Sequence, residues 1–173
     1  KGEFILATIH RNTTTDKIDR LNSVLESLLL LATKHDEKIV FPLHPRTLGQ
    51  LTKSTAKELY NKLKTTKNII LTPPLSYLDM LQLERNTKLI ITDSGGVQKE
   101  AYYFQKPCII ARSETEWEEL VALKTAIICD VDQARIESAY LHFMKDAPSN
   151  FPAIFGDGRA AEFIAEKLLD FLS

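Results

Sequence analysis

Lys88-Leu89-Ile90-Ile91-Thr92-Asp93-Ser94-Gly95-Gly96-Val97-Gln98-Lys99-Glu100 reads as a buried strand, a tight turn of small residues and the opening turns of a helix. Glycines 95 and 96 carry no Cβ, so a ligand can approach the backbone closely there. The first N–H groups of the helix have no intrahelical acceptor and point outward, which suits an anion such as a diphosphate. Ser94 adds a hydroxyl, and Glu100, one turn further on, can accept the two hydroxyls of a ribose. Taken alone, the stretch is equally compatible with a tight turn and a helix cap. It is neither Gly-x-x-x-x-Gly-Lys-Ser/Thr nor Gly-x-Gly-x-x-Gly, which disfavours phosphate-loop ATPases and nicotinamide enzymes.

The same strand–turn–helix unit recurs along the chain. Phe4–Ile9, Lys38–Leu43, Asn68–Leu71, Pro107–Ala111 and Ala126–Cys129 are short apolar runs like Lys88–Thr92, as expected of strands buried on both faces. Helical patterns separate them: Asp16–His35 with Ile18, Leu21, Leu25, Leu28 and Ala32 in one stripe, Thr47–Lys64, and Ser76–Asn86 with a Ser-x-x-Asp capping signature. Gly96–Gln105, Glu116–Leu123, Asp132–Lys145 and Gly158–Leu172 follow. Asp16 is the expected cap of the first helix, and Ala147–Gly158 is the single long loop. The alternation predicts one α/β domain over residues 1–173, a doubly wound Rossmann-like parallel sheet of about six strands. Ligands of such sheets bind beyond the carboxyl ends of the strands, where strand order reverses. His10-Arg11-Asn12, His44-Pro45-Arg46, Thr72-Pro73-Pro74-Leu75, Asp93-Ser94-Gly95-Gly96 and Arg112-Ser113-Glu114 follow successive strands, so cationic and hydrogen-bonding groups gather at one end. Asp93 suits a turn-stabilising acceptor better than a catalytic base. Trp117 and Glu118 are candidates for the ribose side of the pocket. His35 and His142 read as solvent-facing.

Composition sets the outer limits. With 22 basic and 23 acidic side chains the net charge is −1, which gives no footprint for nucleic acid or an anionic membrane surface. The longest apolar run falls far short of the ~20 residues that cross a bilayer. Cys108 and Cys129, each inside an apolar run, read as buried thiols of a reducing compartment, so a cytoplasmic location is expected. They lack metal-ligand spacing, and no metal or cofactor is expected. No catalytic triad or carboxylate pair stands out, and Lys1-Gly2-Glu3 runs straight into Phe4-Ile5-Leu6-Ala7, as if the domain were cut from a longer protein.

Six ordered blocks resemble the C-terminal domain of the non-hydrolysing UDP-N-acetylglucosamine 2-epimerases. Thr8-Ile9-His10-Arg11 with Asn12 and Asp16 is similar to the family's TxHRxEN loop. Phe41-Pro42-Leu43-His44-Pro45-Arg46-Thr47 and Pro74-Leu75-Ser76-Tyr77-Leu78 are similar to its next two loops. Thr92–Ala101 resembles its TDSGGxQEEA block, Arg112-Ser113-Glu114-Thr115-Glu116-Trp117 its RxxTERPE block and Phe155-Gly156-Asp157-Gly158 its YGDG. The resemblance implies half of a GT-B-like enzyme whose site lies between two Rossmann-like domains. It implies Ser94, Gly95 and Gly96 on the diphosphate, Glu100 on the ribose, and Pro74, Leu75 and Met80 at the uracil. His10 falls on the catalytic-site histidine, and Arg11 and His44 on positions that contact a second, activating substrate in some members.

The implied reaction eliminates UDP with loss of the C2 proton, giving a 2-acetamidoglucal, and adds it back on the opposite face, without a nicotinamide. Its carboxylates belong to an N-terminal domain absent from this chain, so the fragment is expected to bind UDP without turnover, and the whole protein to form a homodimer. The sequence departs from the family at three places. Asn12-Thr13-Thr14-Thr15 replaces the Glu after His-Arg, and His44-Pro45-Arg46-Thr47 replaces His-x-Asn-Pro. Trp117-Glu118 replaces an Arg-Pro whose arginine contacts the nucleotide, a variant that resembles relatives acting on diacetamido-uronic sugars. A retaining GT-B glycosyltransferase domain is disfavoured because Glu116 and Glu119 miss its Glu-x7-Glu spacing. A non-catalytic UDP-sugar sensor stays open. A phosphoacceptor receiver lacks the acidic pair after the first strand.

Overall fold

The computed structural model describes residues 2–53 and 56–172. Six strands, β1 (Phe4–Thr8), β2 (Lys38–Pro42), β3 (Ile69–Thr72), β4 (Leu89–Thr92), β5 (Cys108–Ile110) and β6 (Ala126–Ile128), form one parallel sheet in the order β3-β2-β1-β4-β5-β6. Order reverses between β1 and β4, which pair from Ile5↔Leu89 to Thr8↔Thr92. The expected doubly wound Rossmann-like sheet is therefore present, with its crevice above Thr8 and Thr92.

Both sheet faces are buried, which is why the strands read as continuous apolar runs. Ile5, Ala7, Ile39, Phe41, Leu89, Ile91 and Ile109 point to one side, against α2 (Ile18–Lys34) and α8 (Gln133–Lys145). Leu6, Ile90, Cys108 and Ile110 point to the other, beneath α6 (Gly95–Tyr103) and α7 (Glu118–Ala122), where Met80 and Leu83 of α5 (Tyr77–Asn86) also pack. Both cysteines are free and buried, and burial pushes the Cys129 thiol up to about 11.

The structure corrects the sequence reading in four places. Asn12–Thr15 forms a short helix, α1, in which Thr15 Oγ1 donates to the Arg11 carbonyl at 3.0 Å. Asp16 then closes α1 instead of capping α2, and its carboxylate takes Arg46 at 2.9 and 3.0 Å. The segment expected as one helix over Thr47–Lys64 is two, α3 (Pro45–Leu51) and α4 (Lys57–Thr65); Ser54 and Thr55 lie outside the described residues. His35 is not solvent-facing: its side chain is 17% exposed and bonds Glu137 at 2.7 Å. His142 is exposed as expected, and Ser76 caps α5 by accepting from the Asp79 N–H at 3.2 Å.

Residues 147–158 fold back on the sheet's second layer. Phe155 stacks edge-on against Trp117 and Tyr102, and Tyr102 Oη donates to the Pro152 carbonyl at 2.5 Å. Gly156 and Gly158 both take φ +85°, a left-handed conformation that favours glycine. The final helix, α9 (Ala160–Leu172), has no buried residue and leaves Phe163, Leu168, Leu169, Phe171 and Leu172 exposed. Among the described residues no helix is long and apolar enough to cross a membrane.

Candidate functional site

The crevice is built on two threonines. Thr8 and Thr92 face each other across β1 and β4, with their hydroxyls bonded at 2.6 Å, and Thr92 Oγ1 also accepts from the Ser94 N–H at 2.9 Å. This bends the chain sharply into α6. Asp93, fully buried, reaches back across the strands and accepts from the His10 N–H at 3.0 and 3.2 Å and from the Arg11 N–H at 2.9 Å. It is thus the expected structural acceptor, and it ties the loop after β1 to the turn after β4.

A cleft of about 260 Å³ opens at this point, lined by Thr8, His10, His44, Leu75, Met80 and Glu100 among others. Pro74 and Val97 also line it, as do Tyr77 and Glu84. The structure therefore gathers His10, His44, Pro74, Leu75, Met80 and Glu100, chosen from five separate loops and helices, around one space.

The walls differ in chemistry. His10 is a third exposed, and its ring centre lies 5.2 Å from that of His44. Burial lowers the His10 pKa below 6.5; Asp93 opposes this, while His44 and Arg11 add to it. His10 is accordingly a neutral imidazole at pH 7, able to accept a proton. Because the unfolded chain binds that proton more readily, stability falls as pH drops below 6.5. His44 Nδ1 accepts from the Arg46 N–H at 3.2 Å and so caps α3. Arg46 itself is taken by Asp16, so the second His-Arg pair contributes one group to the cleft, not two.

Glu84 was not evident from the sequence. It lies mid-α5, 1% exposed, four residues after Met80 on the same inward stripe. Burial first and Glu100 second push its carboxyl up from 4.5 to about 8. The folded protein thus holds a proton that the unfolded chain releases, and between those two values stability falls as pH rises.

Ser94 is the N-cap of α6 and makes no side-chain cap hydrogen bond, so its hydroxyl is not spent on the helix. At Gly95 an added Cβ would meet Glu116 Oε2 at 2.9 Å and the Arg11 guanidinium at 3.6 Å. Glu116 is gripped by Arg112 through two bonds of 2.9 and 3.0 Å, which holds its carboxyl below the usual range. A carboxylate and two guanidinium groups therefore meet at the start of α6. Trp117 stands behind this turn and not in the cleft: its indole N–H donates to the Gly95 carbonyl at 2.7 Å, and Lys99 Nζ lies 4.5 Å from its ring centre. Its N–H is taken by backbone and its ring packs on Phe155, and like Arg11, Ser94, Gly95 and Gly96 it is not among the residues that line the cleft.

The geometry is thus a cleft with an apolar wall and an acidic floor, beside the glycine turn that opens α6. The UDP-N-acetylglucosamine 2-epimerase family profile matches residues 1–169. A UDP-N-acetylglucosamine 2-epimerase homolog of Methanococcus maripaludis is 38% identical over 168 residues, with 97% of this chain and 45% of the relative covered. The UDP-2,3-diacetamido-2,3-dideoxy-D-glucuronate 2-epimerase of Pseudomonas aeruginosa is also 38% identical, with 95% and 44% covered. The crystal structure of Methanocaldococcus jannaschii UDP-GlcNAc 2-epimerase in complex with UDP-GlcNAc and UDP superposes with a TM-score of 0.87 at 34% identity, covering 97% of this chain and 45% of that one. The chain thus spans a little under half the length of these relatives, and on the match over nearly its whole extent it belongs to the UDP-N-acetylglucosamine 2-epimerase family.

Proposed function

We propose that this chain is the UDP-binding, C-terminal half of an enzyme that interconverts UDP-N-acetylglucosamine and UDP-N-acetylmannosamine by elimination and re-addition of UDP. The observation that carries this reading is a cleft at the β1/β4 reversal lined by Leu75, Met80 and Glu100, with the glycine turn that opens α6 one helical turn before Glu100. Leu75 and Met80 offer the base an apolar wall, Glu100 offers the ribose a paired acceptor, and Ser94, Gly95 and Gly96 offer the diphosphate N–H groups at a helix start. His10 and Arg11 sit where the diphosphate meets the sugar. In the elimination the C2–H bond and the C1–O bond to the diphosphate break together with formation of the C1–C2 double bond, which requires a base at C2 and stabilisation of the leaving anion. This chain supplies the second requirement. The carboxylates for the first belong to the other half, so the isolated chain binds without turnover. The full-length enzyme acts as a homodimer in this reading.

A second reading concerns the sugar alone. The Pseudomonas aeruginosa relative, at 38% identity, is named for a diacetamido-uronic substrate, and Trp117 stands where an arginine is common in UDP-GlcNAc enzymes. The nucleotide half of the site would serve either sugar.

Calorimetric titration of the chain with UDP tests the proposal. Binding between about 1 μM and 1 mM is expected, or −8.2 to −4.1 kcal/mol. Hydrogen bonds to a charged group are worth roughly 1.5–3 kcal/mol each, so Glu100→Ala should weaken UDP by about 10- to 100-fold. Gly96→Ala provides a sharper contrast. Its Cβ would meet only Ser94 Oγ at 3.8 Å, so the fold should keep or gain stability, by up to about 1 kcal/mol. The same methyl fills the space through which a diphosphate approaches the helix start, so affinity should drop. A folded chain that ignores UDP at millimolar concentration, or a Gly96→Ala variant that binds normally, would remove the diphosphate assignment.

A further inference from the structure

Glu84 is a buried carboxyl that the proposed chemistry does not use. Its side chain reaches the floor of the cleft from α5, where Glu100 of α6 also lines the space, and its Oε2 is buried without a partner. Two carboxyl groups lining one partly desolvated cleft cannot both be ionised cheaply. The proton belongs on the more deeply buried member, Glu84, which burial and the Glu100 charge both drive toward the neutral form. The surrounding titratable groups offer it no competing cation: Tyr77 on the first turn of α5 is itself pushed up by Glu100, and His10 and His44 line the cleft after β1 and β2. Arg85, its neighbour on α5, is exposed.

A lone Glu100 would have rotamer freedom at the very point where a diol needs two acceptor oxygens in fixed places. We propose that Glu84 is a positioning residue that donates its carboxyl proton to Glu100 and thereby fixes the Glu100 carboxylate for the ribose hydroxyls of the nucleotide. This deepens the UDP-binding reading and rests on it. Ionisation of Glu84 replaces the donor with a second negative charge, which repels Glu100 and the incoming diphosphate alike. The competent form of the site then diminishes in proportion to the protonated fraction, and the apparent Kd rises by the same factor.

The test compares the chain with Glu84→Gln and Glu84→Leu, titrated with UDP at pH 7 and pH 9 and constant ionic strength, after melting curves confirm that all three are folded. The wild-type chain should lose about tenfold in affinity between the two values. That follows from a group titrating near 8. Glu84→Gln, whose amide still donates to Glu100, should match the wild type at pH 7 and lose less at pH 9. Glu84→Leu should bind weakly at both. The uracil N–H titrates equally in all three, so the difference between proteins reads position 84. Identical pH profiles for wild type and Glu84→Gln, or normal binding by Glu84→Leu, would overturn the proposal. Carbon-13 NMR of labelled glutamate carboxyls provides a readout independent of nucleotide. One resonance should titrate near pH 8 and vanish in Glu84→Gln. Its absence overturns the shared proton even if UDP binds, whereas failure of UDP to bind despite that resonance defeats the nucleotide reading and the positioning role with it.

Discussion

Asp93→Ala should destabilise the protein by about 1–3 kcal/mol, as measured by the shift in its urea midpoint. The substitution removes the side chain that, among the described residues, accepts from the main-chain N–H groups of His10 and Arg11. An N–H left without a partner on burial costs roughly 1–3 kcal/mol; Arg11 is exposed, so water takes up much of the second loss. Against a total stability of about 5–15 kcal/mol for a domain, this is enough to leave a sizeable unfolded fraction in a marginal case. The effect on the site should exceed the effect on the fold, because the loop carrying His10 and Arg11 is tied across the sheet by these bonds. Asp93→Asn keeps one acceptor oxygen and should cost less than half as much. A loss below about 1 kcal/mol for the alanine variant would mean that solvent or another group takes over both N–H groups.

Phe41→Ala should cost about 3–5 kcal/mol. Phe41 is fully buried on β2, among the largest enclosed side chains, and packs with Leu28, Leu51 and Leu63 in the larger core cluster. Removing the ring leaves a cavity between the sheet and the helical layer, which collapses only in part because the neighbouring strands are pinned by their hydrogen bonds. The denaturation slope should stay unchanged while the midpoint falls. Its neighbour Pro42 lines the cleft, so nucleotide binding at saturating stability should change little. A large loss of affinity at low temperature would show that β2 itself shifts.

The strands were legible because both faces of the sheet are apolar, a pattern that needs no tertiary knowledge; that the order reverses between β1 and β4 came only from the structure. The loops after the strands were legible for the same reason: once β1 and β4 are placed, His10 and Asp93 must meet. Features that depend on partners far along the chain were not. Asp16 looked like a helix cap until Arg46, thirty residues on, claimed its carboxylate. His35 looked exposed because Glu137 comes 102 residues later. Three threonines in a row have poor helix propensity, yet α1 forms because the Arg11 carbonyl collects both a main-chain and a side-chain bond from Thr15. Glu84 left a signal that a stricter reading would have caught, a charge four residues after Met80 on the inward stripe of an otherwise amphipathic helix. That the Trp117 indole N–H bonds the Gly95 carbonyl was not legible either, since twenty-two residues separate the two.

The carboxylate of Glu116 lies against Gly95 at the head of α6, clamped by Arg112 with Arg11 alongside. An acid in that position is an incumbent: it already occupies the electropositive end of a helix that a diphosphate would seek. Free phosphate must displace it with nothing else to gain, whereas a nucleoside diphosphate arrives anchored by its base and ribose and delivers its charge as an intramolecular competitor. Glu116→Gln should therefore tighten inorganic phosphate more than it tightens UDP, which competition titrations would read as a narrowed ratio between the two. Eviction also frees Arg112 to turn toward the newcomer. On the proposed reading, the resident carboxylate is what makes the site discriminating, giving up affinity for the commonest small anion and leaving nucleotides the advantage.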